Sequence, residues 1–285
     1  MYSRHTLLGS VLRHVVLLLA VAFAIFPVLW IASASFNATE NMQLQQLIPP
    51  QPSLQHYKDL FSNPTLRFTT WLWNSIEISV VNSALVVMLS GLAAYAFSRF
   101  RFRGRRTGLL FLLLVQMFPQ MLAMVAVFVL LLTIGNFFPW AGLNTHVGLI
   151  MVYLGGAMGF NTWLMKGYFD TIPRSLEESA KVDGATPFQA FVRIVLPLAR
   201  PILATIFVLT FISTYSEFLL ASVILRTVDQ QTLPVGLRVL MGNQYGNRWG
   251  LFSAGAVIAA LPFLVVFILA QRSLVSGLTR GAVKE

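Results

Sequence analysis

Long apolar stretches, separated by polar segments rich in arginine, dominate the chain. A bilayer core needs about 20 mostly apolar residues per helix, and six stretches reach that length. None has a Lys or Arg near its centre, where one such residue would cost about 2.5–3.5 kcal/mol. The pattern predicts an all-α integral membrane protein with six transmembrane helices, at roughly residues 13–36, 74–98, 108–134, 146–165, 201–225 and 251–271.

Most of the basic residues lie on one side of the predicted spans. The two termini, the 99–107 loop and the 166–200 segment together hold fifteen Lys and Arg, against five in the other connections. Cytoplasmic loops of membrane proteins carry such an excess. We therefore expect both termini and both basic segments to face the cytoplasm.

Composition supports the membrane interpretation and excludes several functions. Hydrophobic residues make up 56% of the chain and charged residues 11%, whereas soluble domains carry about 25% charged residues. The net charge of +10 follows from the loop arginines and suits anionic lipid headgroups, so no nucleic-acid partner is expected. The chain has no cysteine and no histidines at metal-ligand spacing, so no metal or other cofactor is expected.

The first span has an alternative interpretation. Arg4 and Arg13 precede it, and Ala32-Ser33-Ala34 resembles a signal-peptidase site. The apolar run is longer than the usual signal-peptide core of about 7–15 residues, so a retained span is preferred. Cleavage would leave five spans and an outer N-terminus.

Polar side chains inside the spans are candidates for a transport path. Glu217 is the only carboxylate well inside a predicted span, and an intramembrane carboxylate is a functional candidate by default. Thr210, Ser213 and Glu217 share one helical face. They form either a polar stripe along the path or a group in which the carboxyl pins its helix to a neighbour.

Two further patterns favour helix packing. Gln116 and Gln120 flank Pro119, where they either line a path or bond the carbonyls that proline leaves free. Gly155 and Gly159 form a G-x-x-x-G pattern, which lets membrane helices approach closely.

The segment 170–200 predicts a hairpin of two short helices. Pro173 suits a first helical turn, and Gly184 suits a helix stop because glycine adopts the left-handed conformation. Thr186 and Gln189 fit a capping box at the start of the second helix. Four apolar residues then share one helical stripe: Phe188, Phe191, Val192 and Val195. This face requires a partner, or else folds back onto the ends of the chain's own helices.

The hairpin resembles the cytoplasmic signature of permeases of bacterial binding-protein-dependent ABC importers. That signature is E-A-A, three residues, G, nine residues, then I-x-L-P. The chain has Glu178-Ser179-Ala180, Gly184 and Ile194-Val195-Leu196-Pro197 at those spacings, and only Ser179 departs from the pattern. The resemblance implies a type I importer permease whose hairpin is a coupling helix seated in an ATPase subunit. It implies these coupling residues: Glu178, Ser179, Ala180, Asp183, Gly184, Phe188, Phe191, Val192, Ile194, Leu196 and Pro197.

The resemblance covers the whole chain. It is similar to the smaller, MalG-type permeases of maltose/maltodextrin importers, for example at Gln116-Met117-Phe118-Pro119 and Gly142-Leu143-Asn144-Thr145-His146. That family implies one permease domain over 1–285 in the bacterial inner membrane, with a coupling segment at about 170–200 and an outer loop at about 226–250. It implies a second, MalF-like permease, two MalK-like ATPase subunits, an extracytoplasmic sugar-binding protein and membrane lipid as partners.

In that family, the outer loop before the last span enters the binding protein and helps to release the sugar. The matching residues, which an ordinary polar turn would equally explain, are Asn243, Gln244, Tyr245, Asn247 and Trp249. The family's sugar site lies mainly in the partner permease, so the role of Glu217 stays open.

Other functions are weaker hypotheses. The chain has no G-x-x-x-x-G-K-[ST] phosphate loop, so it is not the ATPase, and no catalytic residue is expected. An ion-driven secondary transporter needs paired intramembrane carboxylates or broken helices in repeated halves, and an intramembrane enzyme needs a dyad or a metal set. The cargo could also be another sugar, a polyol or a glycerol phosphate.

Overall fold

The computed structural model describes residues 7–38, 46–242 and 248–282, and within them the chain is almost entirely helical. This confirms the predicted all-α fold. The helices are Leu7–Phe36 (α1), Gln55–Ser62 (α2), Phe68–Arg99 (α3), Arg105–Gln116 (α4), Gln120–Phe137 (α5), His146–Thr171 (α6), Arg174–Val182 (α7), Pro187–Ala190 (α8), Leu196–Leu198 (α9), Arg200–Tyr215 (α10), Leu219–Ile224 (α11), Leu233–Arg238 (α12) and Trp249–Ala282 (α13).

The described helices match the predicted spans in number, although the second of two bent helix pairs starts before the predicted fifth span at 201–225 and ends at Tyr215. Four of them, α1, α3, α6 and α13, are each long and apolar enough to cross a membrane. Two bent pairs bring the count to six when each pair is one span. In the first pair α4 ends at Gln116 and α5 begins after Pro119, because proline lacks an N–H and disfavours helical geometry in the residue before it. In the second pair the helical segment Pro187–Leu198 meets α10 at 76°.

Residue contacts group the chain into two compact units. The first comprises residues 1–68 and 236–261. Within it, the ring Nε2 of His56 lies 2.7 Å from the carbonyl oxygen of Asn37, and the backbone of Gly250 packs so closely on that ring that a Cβ there would collide with it. The second unit comprises residues 69–235 and 262–285.

The second unit contains two apolar clusters at opposite ends of α3. The cluster near Arg99 joins α3, α6, α10 and the hairpin, and it includes Val86, Tyr95, Phe169, Phe191 and Ile206. The cluster near the other end joins α3, α5, α6 and α11, and it includes Ile78, Leu131, Leu149, Leu220 and Ile224. Between these clusters α3, α6 and α10 carry polar residues that include Asn82, Asn161 and Thr210.

Helices α4 and α6 approach each other closely at Gly159. A Cβ at this position would lie 2.5 Å from the backbone oxygen of Leu112, whereas a Cβ at Gly155 would meet nothing within 4 Å. The predicted close approach therefore depends on Gly159, and Gly155 faces open space.

We predict that Gly159→Ala destabilises the protein and that Gly155→Ala does not. The added methyl at position 159 meets backbone, which cannot rotate away, so the cost should be about 1–3 kcal/mol. The matched change at position 155 should stay within about 0.5 kcal/mol of the parent. Thermal unfolding midpoints of the two purified variants in mild detergent test this, and equal midpoints would contradict the packing.

Candidate functional site: the helical hairpin and a polar cavity among the spans

The turn between the hairpin helices has the geometry that its sequence predicts. Gly184 has a φ of +86°, a left-handed conformation that glycine adopts without steric cost. Its N–H donates to the carbonyl of Lys181 at 3.0 Å, and the N–H of Ala185 donates to the carbonyl of Ala180 at 2.9 Å. These two bonds form a Schellman motif, which satisfies carbonyls at the end of α7.

The second hairpin helix begins with the predicted capping box. The Gln189 N–H donates to Thr186 Oγ1 at 3.3 Å, and the Thr186 N–H donates to Gln189 Oε1 at 2.8 Å. Two backbone donors that have no helical partner are thereby satisfied. With caps on both sides of the turn, the hairpin has a defined local geometry.

The predicted apolar stripe of the hairpin divides into an inner and an outer part. Residues Phe191–Val195 form a turn of π-helix, a feature frequently found at functional sites. Phe191 is buried, with its ring centroid 4.6 Å from that of Tyr95. Phe188 is 65% exposed and Val182 is 88% exposed. Phe191 therefore packs inside the chain, which corrects the expectation that it belongs to a docking surface.

The other predicted coupling residues surround the turn. Those at the surface are Glu178, Ser179, Asp183, Gly184, Phe188, Val192 and Pro197, and those half-buried are Ala180, Ile194 and Leu196. The hairpin surface thus carries two carboxylates and several apolar side chains.

A buried ion pair that was not predicted from the sequence lies behind this surface. Arg99 Nε lies 2.5 Å from Glu177 Oε1, and their side chains are only 7% and 5% exposed. Glu177 lies beside the exposed Glu178, and only Glu178 belongs to the signature described above. The available signal was an arginine at the last position of a span followed, along the chain, by two adjacent carboxylates.

Between the two apolar clusters, a cavity of about 310 Å³ opens among α3, α4, α6 and α10. Polar side chains from all four helices line it: Asn82, Gln116, Tyr153, Asn161, Thr210, Ser213, Thr214 and Glu217. The predicted group of Thr210, Ser213 and Glu217 thus borders one polar space. None of the described residues that line this cavity is basic.

Glu217 lies between α10 and α11, where the predicted fifth span is broken. Its carboxylate accepts hydrogen bonds from the N–H groups of Leu220 (2.8 Å) and Ala221 (3.0 Å), and from the hydroxyl of Tyr153 on α6 (2.6 Å). The carboxylate therefore satisfies backbone donors at the start of α11 and pins that helix to α6. This geometry favours the second of the two interpretations, while Glu217 still borders the cavity.

Gln116 connects α4 to α6. Its Nε2 donates to the carbonyl oxygen of Gly156. This hydrogen bond links α4 to α6, and it does not involve a carbonyl that Pro119 leaves free. Gln116 also lines the cavity. The side chain of Gln120 lies outside the described part of the structure.

The connection after α11 is held by polar side chains from the turn before α6 and from α3. Asn144 Oδ1 accepts from the N–H groups of Arg226 (2.8 Å) and Thr227 (3.0 Å). Asn74 Nδ2, on α3, donates to the carbonyl of Asp229 at 2.8 Å, so a polar side chain of this helix holds the connection in place.

Most of the predicted sugar-release loop lies outside the described residues, namely Asn243, Gln244, Tyr245 and Asn247. Trp249 begins α13 and packs edge-on against Phe252, with ring centroids 6.4 Å apart. The role of this loop stays a prediction.

Comparison with known proteins identifies close relatives. Residues 87–279 match the family described as binding-protein-dependent transport system inner membrane component. The chain is 45% identical over 282 residues to the maltose/maltodextrin transport system permease protein MalG of Vibrio vulnificus, covering 95% of this chain and 94% of that protein. It is 43% identical over 284 residues to the Escherichia coli K12 protein of the same name, covering 96% and 95%.

Solved structures agree with the sequence relatives. The chain resembles a chain of a bacterial ABC transporter involved in the import of the acidic polysaccharide alginate, with a TM-score of 0.78 and 26% identity over 96% of this chain and 99% of that one. The inward-facing MetNI methionine ABC transporter shares the fold, with a TM-score of 0.57 and 17% identity over 79% of this chain and 100% of that one.

We predict that Glu217→Gln lowers the stability of the protein. The amide retains one acceptor oxygen, so a backbone N–H of α11 loses its partner, at a cost of about 1–3 kcal/mol. Glu77→Gln is the matched control, because the Glu77 side chain is 47% exposed. Thermal unfolding midpoints in detergent measure both changes, and an unshifted midpoint for Glu217→Gln would contradict the capping role.

Proposed function

The chain belongs to the family of binding-protein-dependent transport system inner membrane components, and on that premise we propose that it is one of two permease subunits of an ATP-driven importer of maltose and maltodextrins. In this proposal, its hairpin converts closure of partner ATPase subunits into alternating access of the membrane path. The chain itself is a transport component and supplies no catalytic group.

The observation that carries the coupling role is the exposed surface at the tip of the hairpin. The signature residues Glu178 and Gly184 lie there beside Val182 and Phe188, two apolar side chains that are more than half exposed. An apolar patch rimmed by polar residues is typical of a protein interface. The caps on both sides of the turn also hold the two hairpin helices in a defined geometry, so that the hairpin can move as a rigid body.

The first span supports a second permease subunit and lipid as neighbours. None of the most apolar window of α1, within Gly9–Phe36, is buried by the chain itself. Lipid suits such a uniformly apolar surface, and a partner helix suits it equally. We propose that a MalF-like permease and lipid cover the exposed spans, and that an extracytoplasmic sugar-binding protein delivers the cargo.

The charge distribution supports a cytoplasmic location for the hairpin. Arg101, Arg103 and Arg106 lie exposed in the 99–107 segment, next to the end of α3 that contacts the hairpin. An excess of basic residues marks the cytoplasmic face of a membrane protein. Both termini would then lie in the cytoplasm as well.

The cavity chemistry favours a neutral sugar over an acidic one. Its described lining offers amide, hydroxyl and carboxylate groups, which suit sugar hydroxyls, and contains no lysine or arginine to pair with a uronate. This supports maltodextrins, the cargo in the names of the sequence relatives, over an acidic polysaccharide such as alginate.

We predict that Gly184→Pro uncouples transport from ATP hydrolysis. Proline fixes φ near −65°, whereas Gly184 has a φ of +86° and donates its N–H to Lys181. The matched control is Gly104→Pro, since Gly104 has a φ of +84° but lies outside the hairpin. Sugar uptake and ATP hydrolysis are measured in vesicles that contain the co-purified partners.

The coupling role predicts that only Gly184→Pro loses sugar uptake, by roughly tenfold or more, which corresponds to about 1.4 kcal/mol. Uptake at the parental level in that variant would show that the hairpin turn does not transmit closure. Equal losses in the two variants would show a general effect of backbone strain.

We predict that the assembled complex accumulates uncharged maltotriose and excludes an alginate trisaccharide of similar size. The alginate trisaccharide carries carboxylates that maltotriose lacks, and no lysine or arginine lines the described cavity to neutralise them. Uptake of each labelled sugar by vesicles supplied with ATP and the binding protein tests the cargo. Preferential uptake of the alginate oligosaccharide would refute the maltodextrin assignment without affecting the permease role.

A further inference from the structure

Three side chains at the last turn of α3 contact the hairpin and its approach from α6. Tyr95, Ser98 and Arg99 lie on this turn, and Tyr95 and Ser98 are buried. Ser98 Oγ donates to Asp170 Oδ1 at 2.6 Å, and its carbonyl accepts from Arg174 Nη2 at 3.0 Å. The end of α3 is therefore held both to the end of α6 and to the start of α7.

Glu177 on α7 is the main anchor of this contact. Each of its carboxylate oxygens has its own donor: Arg99 Nε reaches Oε1 at 2.5 Å, and the Tyr95 hydroxyl reaches Oε2 at 2.9 Å. The Tyr95 hydroxyl also lies 3.1 Å from the carbonyl oxygen of Pro187, so it sits between the two hairpin helices. Charge-assisted bonds of this kind are short and directional.

The guanidinium of Arg99 also donates hydrogen bonds to groups other than Glu177. Its Nη2 donates to the carbonyl of Ile172 at 3.0 Å, and its Nη1 donates to Ser98 Oγ at 3.1 Å. Phe191 packs against Tyr95 and keeps the group apolar on that side. The ion pair of Arg99 with Glu177 is therefore both almost completely buried and held in one orientation by its other hydrogen bonds.

We propose that Arg99, Glu177 and Tyr95 form a clamp that makes α3 move with the hairpin during the transport cycle. The chain joins the hairpin covalently to α6 and to α10 only, whereas α3 has no covalent link to it. The clamp supplies that third link, so a push on the hairpin reaches three spans that border the polar cavity. These are positioning residues, and the inference rests on the coupling function proposed above.

The clamp is distinguishable from a contact that only stabilises the fold. Removing one member of a buried ion pair is strongly destabilising, because the other charge is left without a partner, whereas replacing both members with uncharged residues is often neutral. A double variant, Arg99→Met with Glu177→Gln, should therefore recover the stability that Glu177→Gln alone loses. The double variant nevertheless lacks the ion pair that links α3 to the hairpin.

The test compares the parent, Glu177→Gln, the double variant and the control Arg103→Met, whose arginine is exposed in the neighbouring loop. Each is assembled with its co-purified partners in vesicles, and the sugar transported per ATP hydrolysed is measured. The clamp predicts parental assembly yield in the double variant together with a fall in sugar per ATP of about 2- to 30-fold, the range for residues that carry coupling. Arg103→Met should match the parent.

A second readout follows movement directly. The chain has no cysteine, so spin labels at Arg101→Cys and Lys181→Cys, two exposed positions on either side of the clamp, would be its only thiol labels. The clamp predicts that the label-to-label distance stays constant in the parent when ATP is added, and that it changes with ATP in the double variant.

Two results would overturn the clamp: a double variant with parental sugar per ATP, or a label distance in the parent that changes with ATP. Failure of the underlying function has a different signature. In that case the parent itself would show no link between ATP hydrolysis and uptake, and Gly184→Pro would behave like the parent.

Discussion

Hydrocarbon offers no hydrogen-bond partner, so each polar group that this chain carries into its spans needs a partner within the protein. Glu217 meets this need for the broken span, since it accepts from two backbone amides and from Tyr153. Gln116 reaches the backbone of α6, and Asn82 Nδ2 donates to Thr214 Oγ1 at 2.8 Å. These bonds join α4, α6 and α11 in one group and α3 and α10 in another, and residues of both groups line the polar cavity.

The hairpin is in turn bound to one end of α3. Phe191 joins the apolar cluster at the end of α3, and the ion pair of Arg99 with Glu177 fixes the hairpin's first helix to that end. Phe188 and Val182 remain exposed for a partner. One small element thus has an inner face bound to the spans and an outer face free to bind, which is the arrangement that mechanical coupling between subunits requires.

The turns and caps of this molecule can be predicted from its sequence. Which of two similar adjacent residues is buried cannot be predicted in this way. The turn at Gly184 and its flanking cap depend on nearby backbone geometry, so their residue types were sufficient to predict them. Glu177 and Glu178 are adjacent, and only the position of Arg99 in the folded chain decides which one is buried. Phe191 was misassigned because the apolar stripe does not show which of its members meets another helix, and only the fold brings Phe191 against Tyr95 of α3.

The central claim is that this chain is a permease driven by partner ATPases, and affinity purification in mild detergent, with the partners identified by mass spectrometry, tests it most directly. The account predicts recovery of an ATPase and a second permease, in an assembly whose vesicles take up maltodextrin only with ATP. Recovery of the chain alone, with solute uptake driven by an ion gradient in the absence of ATP, would contradict it.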